Sequence, residues 1–540
     1  MTYLFHHLSK WTLLAGFAAF VYLYRRVFAL GKGHLPPGPR GLPLVGNLFQ
    51  LSMEAWVTFA EWKARCPLVY ISVAGRSIVI MNTHKVAADL LDRRGPIYSD
   101  RPRFIVASEI LTGGLLVVFT QYNDIWRRMR RAGHEGLSQS ASADFYAPQS
   151  REAILLVDGL LKHPELWNEE IRRRVFLHLR ISSREISMYY FSSATASMIW
   201  SVIYDKPPIT STQDPQIARI NDFITRIVRA AFPGAHYVEF FTWMKYIPSS
   251  IAKWKREAEE WYRKDSELFE GFFLEARQRV TSGEERSSFA ANLIRDSERH
   301  GLSDKESAWL AATLYTAGAE TTAGVLSWFM LAMILYPDIQ KKIQQELDTV
   351  VGRGRLPTFA DQAHLPYLQA TVREALRWHP VDPVGLPHQS TQDDWYKGFF
   401  IPKGTICIAN VWSLNRDVEA YGSDASEFNP GRFLDENSQL KPILADTKEE
   451  GHVTYGFGRR LCIGRHVANN SLFIDIACLL WAVNIGPVHD SQGNPIMPIE
   501  SKSINDGLVV RPIPFNCTIT PRFTEVKTLL AQSKELAGNN

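Results

Sequence analysis

The run from Ser303 to Tyr336 constrains the fold of this chain more than any other stretch. Ser303-Asp304-Lys305-Glu306 is a capping box, and the apolar run behind it lasts to Tyr336, just ahead of Pro337. The pattern predicts a helix of about 33 residues, long for a globular protein. Inside it sits Ala317-Gly318-Ala319-Glu320-Thr321-Thr322. A buried acid and a hydroxyl in the middle of an apolar helix are costly unless they do something. Taken alone, a threonine bonding back to a carbonyl in a packing helix is the commoner case. Gly318 permits a close approach or a local distortion.

A second stretch, Tyr455-Gly456-Phe457-Gly458-Arg459-Arg460-Leu461-Cys462-Ile463-Gly464, puts one cysteine on a tight glycine turn. A mostly apolar run from Val467 to Val483 follows, long enough for a buried helix. A thiolate beside a helix start receives backbone N–H groups and the positive end of the helix dipole. The glycines let a large flat ligand approach the backbone, and Arg459, Arg460 and Arg465 supply cations for acidic groups. That set suits a haem iron with its propionates. A buried structural cysteine after a glycine loop is the competing reading.

The spacing of Gly458, Arg460, Cys462 and Gly464 matches the signature Phe-x-x-Gly-x-Arg-x-Cys-x-Gly, with Tyr455 in place of the phenylalanine. The chain thereby resembles the cytochrome P450 family of haem-thiolate monooxygenases, and the resemblance covers nearly its whole length. It implies haem b (iron protoporphyrin IX), with Cys462 as proximal iron ligand, Arg460 on a propionate, and Gly456 and Gly464 beside the cofactor. Trp126 and Arg130, four residues apart on one helix face, resemble the Trp-x-x-x-Arg element that bonds a propionate. The segment 317–322 resembles the family's oxygen-activation element. By that match Thr321 lies over the iron and Glu320 helps relay protons to dioxygen. Glu374 and Arg377 match the Glu-x-x-Arg element, a buried pair whose third member would be Arg432. There Gly431 replaces the usual glutamate, and a different local turn is expected. His388, in an extended stretch from Pro383, stands where a basic residue contacts a propionate.

The remaining features set the context. The chain has 540 residues, 46% hydrophobic and 21% charged, enough for a large core, and its net charge of +4 argues against a nucleic-acid partner. No phosphate-binding glycine loop follows a strand, so a fused flavin or nicotinamide domain is not expected. Five scattered cysteines form no close pairs and no zinc spacing, which fits a reducing compartment. Trp11 to Tyr24 is apolar or small except Thr12, with Lys10 before it and Arg25-Arg26 after. Extended to Leu30 with snorkelling arginines, the run spans about 30 Å, enough for a membrane anchor facing the cytosol downstream, with an interfacial amphipathic helix as the competing reading. Prolines hold 35–46 extended, a linker on its residues alone, and the resemblance implies that it is a hinge. Arg127, Arg128 and Arg131 are candidates for a basic surface that receives an acidic reductase. Val69 and Ser77 open two strands of a hairpin. Phe399 to Ile408 reads as a strand pair turned at Lys403-Gly404, and the region 149–300 as helix-rich.

The expected fold is mainly α with small β-sheets: an anchor (1–30), a hinge (31–47), a catalytic domain (48–525) and a C-terminal tail (526–540). The expected function is insertion of one oxygen atom from dioxygen into an apolar substrate. NADPH–cytochrome P450 reductase would supply electrons, with cytochrome b5 as a further donor, at the endoplasmic reticulum membrane. Residues 385–394 look most like fungal members, including those resembling O-methylsterigmatocystin oxidoreductase, which hints at secondary metabolism or xenobiotic oxidation. Pocket segments are expected at 104–122, 223–241, 309–322, 381–386 and 504–508. The rivals are a haem-thiolate isomerase or dehydratase that does not use dioxygen, against which Glu320-Thr321 argues, and a non-catalytic haem protein.

Overall fold

The computed structural model describes residues 34–538 apart from positions 53, 64–65, 169–173, 182–183, 192–193, 210–214, 233, 285 and 508, together with 12, 14–19 and 21–22. Those N-terminal residues are helical, with Leu14 and Phe17 exposed; the rest of the expected anchor, 1–30, lies outside the described residues. The chain divides into two compact units.

One unit comprises residues 1–102, 384–414 and 457–460. Its strands are β1 (Leu68–Val73), β2 (Arg76–Met81), β3 (His388–Gln389), β4 (Asp394–Tyr396), β5 (Phe399–Ile401) and β6 (Ile406–Ala409). β1 and β2 form the expected hairpin, closed by Ala74 and Gly75, both at positive φ, as a tight two-residue turn requires. β6 joins β2 in parallel and β3 antiparallel. Phe59, Val69, Ile71 and Ile80 make the core beneath. The proline-rich stretch lies along β1: Tyr70 N–H donates to Pro37 O at 3.0 Å and Asn47 N–H to Ser72 O at 2.6 Å.

The strand pair read at 399–408 is corrected here. β5 pairs with β4 across Lys397-Gly398, and β6 leaves for the larger sheet. Lys397 and Gly398 both hold positive φ, the twist-matched hairpin geometry, whereas at Lys403-Gly404 only the glycine does.

The second unit comprises residues 103–383, 415–456 and 461–540. Its main helices are α1 (Asp124–Gly136), α2 (Tyr146–Lys162), α3 (Ala194–Tyr204), α4 (Pro215–Ala231), α5 (Lys253–Ser282), α6 (Asp304–Leu335), α7 (Pro337–Val350), α8 (Pro366–Trp378) and α9 (Arg465–Ala482). The helix-rich reading of 149–300 missed one hairpin, Arg174–Ile181 with Arg184–Phe191. A three-stranded sheet near the C-terminus pairs Val483–His489 with Pro495–Ile496 and Cys517–Pro521.

α6 is the predicted long helix. Ser303 Oγ accepts from Glu306 N–H at 3.2 Å and Ser303 N–H donates to Glu306 Oε2 at 2.8 Å, the reciprocal cap read from the sequence. It is long and apolar enough to cross a membrane, but it is a core helix, buried along most of its length and packed by α3 and α5. Gly318 is what lets α3 come so close. A Cβ there would stand 2.9 Å from Ile199 Cδ1, so the residue serves close approach.

Candidate active site

Cys462 sits one turn ahead of α9, with Gly464 as the helix N-cap. Its N–H donates to Tyr455 O at 3.0 Å, closing the glycine loop. Burial pushes the thiol up, outweighing the Gly464 N–H and the Arg130 and Arg465 guanidiniums that favour the thiolate; Glu450 adds to the upward push. A metal ion on the sulfur would deprotonate it outright. Gly456 holds φ +79°, and a Cβ on either Gly456 or Gly464 would meet no protein atom within 4 Å. Gly458 is different: at φ +60°, its Cβ would stand 2.2 Å from Leu91 O. Two glycines of the loop therefore border open space, and one is fixed by the backbone beneath it. Among the described residues no group of three His, Cys, Asp or Glu could hold a metal. A macrocycle that supplies the remaining ligands itself fits a lone thiolate on this loop.

α1 supplies the next part. Asn123 Oδ1 caps it by accepting from Trp126 N–H at 2.9 Å, which fixes Trp126 as a buried residue. Arg130 lies one turn on, half-buried. Burial, with help from Arg465, pushes its guanidinium down to about 10, against the pull of Cys462. No hydrogen-bond acceptor for that guanidinium occurs among the described residues. A desolvated cation without an acceptor is costly, and an anionic group would relieve it. Of the expected basic surface, Arg127 and Arg131 are exposed. Arg128 is instead structural, bonded to Glu306 at 3.1 and 3.2 Å.

In the other unit, Arg460 Nε donates to Ser99 O at 2.8 Å. His388 is buried, its Nδ1 donating to Tyr98 O at 2.8 Å. Its neutral form therefore presents Nε2 as an acceptor. Burial, Arg101 and Arg460 together hold it well below the usual histidine range. An added carboxylate would oppose those terms and favour the doubly protonated form. Arg101 was missed by sequence reasoning. It is buried, with Nη1 donating to Leu386 O and Pro387 O at 2.7 and 2.8 Å, and nothing in Asp100-Arg101-Pro102 announces a distant partner.

The middle of α6 opens along one face. Leu314, Gly318 and Thr321 are half-buried and Ala317 is exposed, while Tyr315, Ala319, Thr322 and Ala323 are buried. The spacing i, i+3, i+4, i+7 makes these four one stripe. Thr321 Oγ1 donates to Ala317 O at 2.9 Å, the back-bond of a packing threonine, and keeps its lone pairs for other donors. Glu320 lies about 100° around the helix from Thr321, on the side of Thr316, also half-buried.

Glu374, Arg377 and Arg432 meet in the same unit. Arg377 bonds Glu374 at 2.6 and 2.7 Å, and Arg432 Nε reaches Glu374 Oε1 at 3.1 Å. Gly431 forms the turn with its N–H on Asn429 Oδ1 at 3.0 Å, and Asn429 N–H donates to Glu374 at 2.7 Å. The turn thus satisfies the carboxylate through its backbone, although the usual glutamate is absent.

The comparisons agree with one another. The family model for cytochrome P450 matches residues 36–518. A cytochrome P450 monooxygenase of Armillaria gallica is 58% identical over 506 residues, covering 94% of this chain and 93% of the relative. A second from that organism is 51% identical over 535 residues, covering 99% of each. Cytochrome P450 monooxygenase 58 of Postia placenta is 50% identical over 520 residues, covering 96% of this chain and 95% of the relative. With a match of this extent and a mainly helical fold with small sheets, the chain belongs to the cytochrome P450 family and is a haem monooxygenase.

Proposed function

We propose that this is a membrane-anchored monooxygenase that takes electrons from NADPH through a separate reductase and inserts one oxygen atom into an apolar organic molecule. The observation that carries the site assignment is Cys462 just ahead of α9, on a loop with two glycines that border open space and near Arg130, a desolvated cation with no acceptor among the described residues. Haem b, when bound, supplies the iron at which dioxygen is activated. In one unit Cys462 would bind it through sulfur, with Trp126 and Arg130 toward a propionate; in the other, Arg460 and His388 are the candidate propionate contacts. Glu374, Arg377 and Arg432 fix the backbone of their own unit.

Thr321 is the proton-handling residue. Its Oγ1 bonds Ala317 O and accepts from a water on the open stripe, holding that water where a proton is needed. Glu320, on the adjoining face, passes protons in from solvent. The apolar stripe of Leu314, Ala317 and Gly318 selects an apolar substrate and keeps bulk water away.

Arg127 and Arg131 form part of the surface for the acidic reductase; cytochrome b5 is a second donor for the same surface. Residues 1–30 anchor the chain in the endoplasmic reticulum membrane, 31–47 serve as hinge, 48–525 carry the chemistry and 526–540 form the tail. The segment after α4 supports membrane contact: Tyr237, Phe241, Trp243, Tyr246 and Ile251 are all exposed. Within 223–241, Phe223, Ile227 and Val238 are buried, whereas Tyr237, Phe240 and Phe241 are exposed.

The test uses membranes holding this protein and a reductase, NADPH, isotopically labelled dioxygen and a panel of terpenoids, steroids and aromatic compounds. One labelled oxygen atom per product supports the reading. Turnover without label or NADPH points to the isomerase alternative.

A further inference from the structure

Beyond the stripe, α6 leads into a continuous run of rings. Trp328 comes seven residues after Thr321, about 10 Å along the helix and within about 20° of the same face. Its ring lies flat on His379, with centroids 3.9 Å apart and planes at 6°. Trp378 stands edge-on to His379 at 4.3 Å and to Trp328 at 6.2 Å. Tyr336 meets Trp378 edge-on at 5.9 Å. The Tyr336 hydroxyl then donates to Glu427 Oε2 at 2.8 Å, and Glu427 is exposed. The run therefore begins inside the core and ends at a solvated carboxylate.

The proton partners differ along it. The Trp328 and Trp378 indoles donate to backbone carbonyls, Val510 O at 3.0 Å and Ser426 O at 2.9 Å. A carbonyl is too weak a base to take a proton from an oxidised indole, so a hole there keeps its charge and moves on. At Tyr336 the acceptor is a carboxylate, so loss of an electron releases the phenolic proton and the hole stops. The other large ring clusters of this unit end differently. Trp309, packed by Phe223 and Phe269, donates to Ser266 Oγ, and Tyr204, beside Trp200, has a buried hydroxyl with no hydrogen-bond partner among the described residues.

We propose that Trp328, Trp378 and Tyr336 form a discharge route that carries oxidising equivalents away from the oxygen-activating site when no substrate consumes them. The route rests on dioxygen or peroxide being activated at the haem held by Cys462. Each discharge is a one-electron event. The oxidised site gains an electron from Trp328, which is refilled from Trp378, and Trp378 from Tyr336. Tyr336 loses that electron and passes its proton to Glu427. A thiol or ascorbate in solution returns one electron to the tyrosyl radical, and Glu427 returns the proton.

The experiment uses the full-length haem-loaded protein, without substrate, driven by an organic hydroperoxide in the presence of the nitrone spin trap DMPO. Adducts are mapped by mass spectrometry. Haem content and the reduced carbon-monoxide spectrum are recorded on the same samples, so a fault at the haem site shows separately. The expected result is a dominant adduct on Tyr336, reduced about tenfold in Trp378→Phe and several-fold in Glu427→Gln, a surface change that leaves the core intact. Tyr336→Phe should bleach its haem faster than the parent. Tyr246 and Tyr237, 83% and 76% exposed, are the internal controls. Labelling that follows exposure, with those two ahead of Tyr336, overturns the proposal. So does a Tyr336 yield unchanged in Glu427→Gln.

Discussion

The Arg377 guanidinium is bonded twice to the Glu374 carboxylate, and neither side chain exposes any surface. The remaining donors of Arg377 go to Asn415 O, Ala425 O and Glu427 O at 2.6, 2.7 and 2.9 Å. The pair therefore ties the chain at Asn415 and at 425–429 to α8. Removing one partner leaves a buried charge, which costs about 3–5 kcal/mol. Glu374→Gln and Arg377→Met should each shift denaturant unfolding by that order and lower the yield of haem-loaded protein. A loss below about 1 kcal/mol would mean the pair is dispensable.

Thr321→Ala removes the hydroxyl and keeps the helix, since alanine is the best helix former. It should bind haem and substrate almost normally and still consume NADPH. Much of the reduced oxygen should leave as peroxide, with product per NADPH falling on the order of a hundredfold, the low end for a general acid–base group. The neighbouring Thr322 is buried and no substitute on the stripe. Coupling equal to the parent's would make Thr321 a packing residue, as its back-bond to Ala317 alone suggests.

The glycines of the cysteine loop give a contrast. Gly464→Ala changes an N-cap with φ −86° and meets no protein atom, so the haem-free protein should lose less than about 1 kcal/mol. Haem retention should drop clearly if that open face is where the cofactor lies. Gly458→Ala drives a Cβ into Leu91 O and should damage the fold with or without haem. The measurement is thermal unfolding of both forms beside the haem dissociation rate. Equal haem retention in Gly464→Ala and the parent would move the cofactor off this face.

How much of this was readable from residues alone follows a physical line. The α6 cap was legible because Ser303 and Glu306 satisfy one another locally, and the Cys462 turn because glycine and cysteine spacing is local too. The pairing of β6 with β2 was not, since it joins Ile406 to Ile78 across the chain, and a nearby Lys403-Gly404 mimics a hairpin turn. Arg101 was hidden for the same reason, its acceptors lying on residues 386 and 387. Arg128 looked like a free surface cation because nothing in its own helix shows that Glu306 is its partner. The role of Gly318 needed Ile199, which sequence cannot bring beside it.

Removing residues 1–30 should release the protein from membranes at least partly while haem is kept. The exposed aromatic segment around Trp243 should leave a residual, salt-resistant attachment to lipid vesicles. Sedimentation of the truncated protein with and without vesicles measures both. Complete co-sedimentation with membranes would place the anchor in that segment.

The central claim is that Cys462 gives its sulfur to the haem iron. The direct measurement is the reduced carbon-monoxide difference spectrum of the parent and of Cys462→Ser, with haem content determined on each sample. The account predicts the red-shifted thiolate band in the parent, and in Cys462→Ser either loss of haem or a spectrum without that band. A parent-like thiolate spectrum in Cys462→Ser would contradict it.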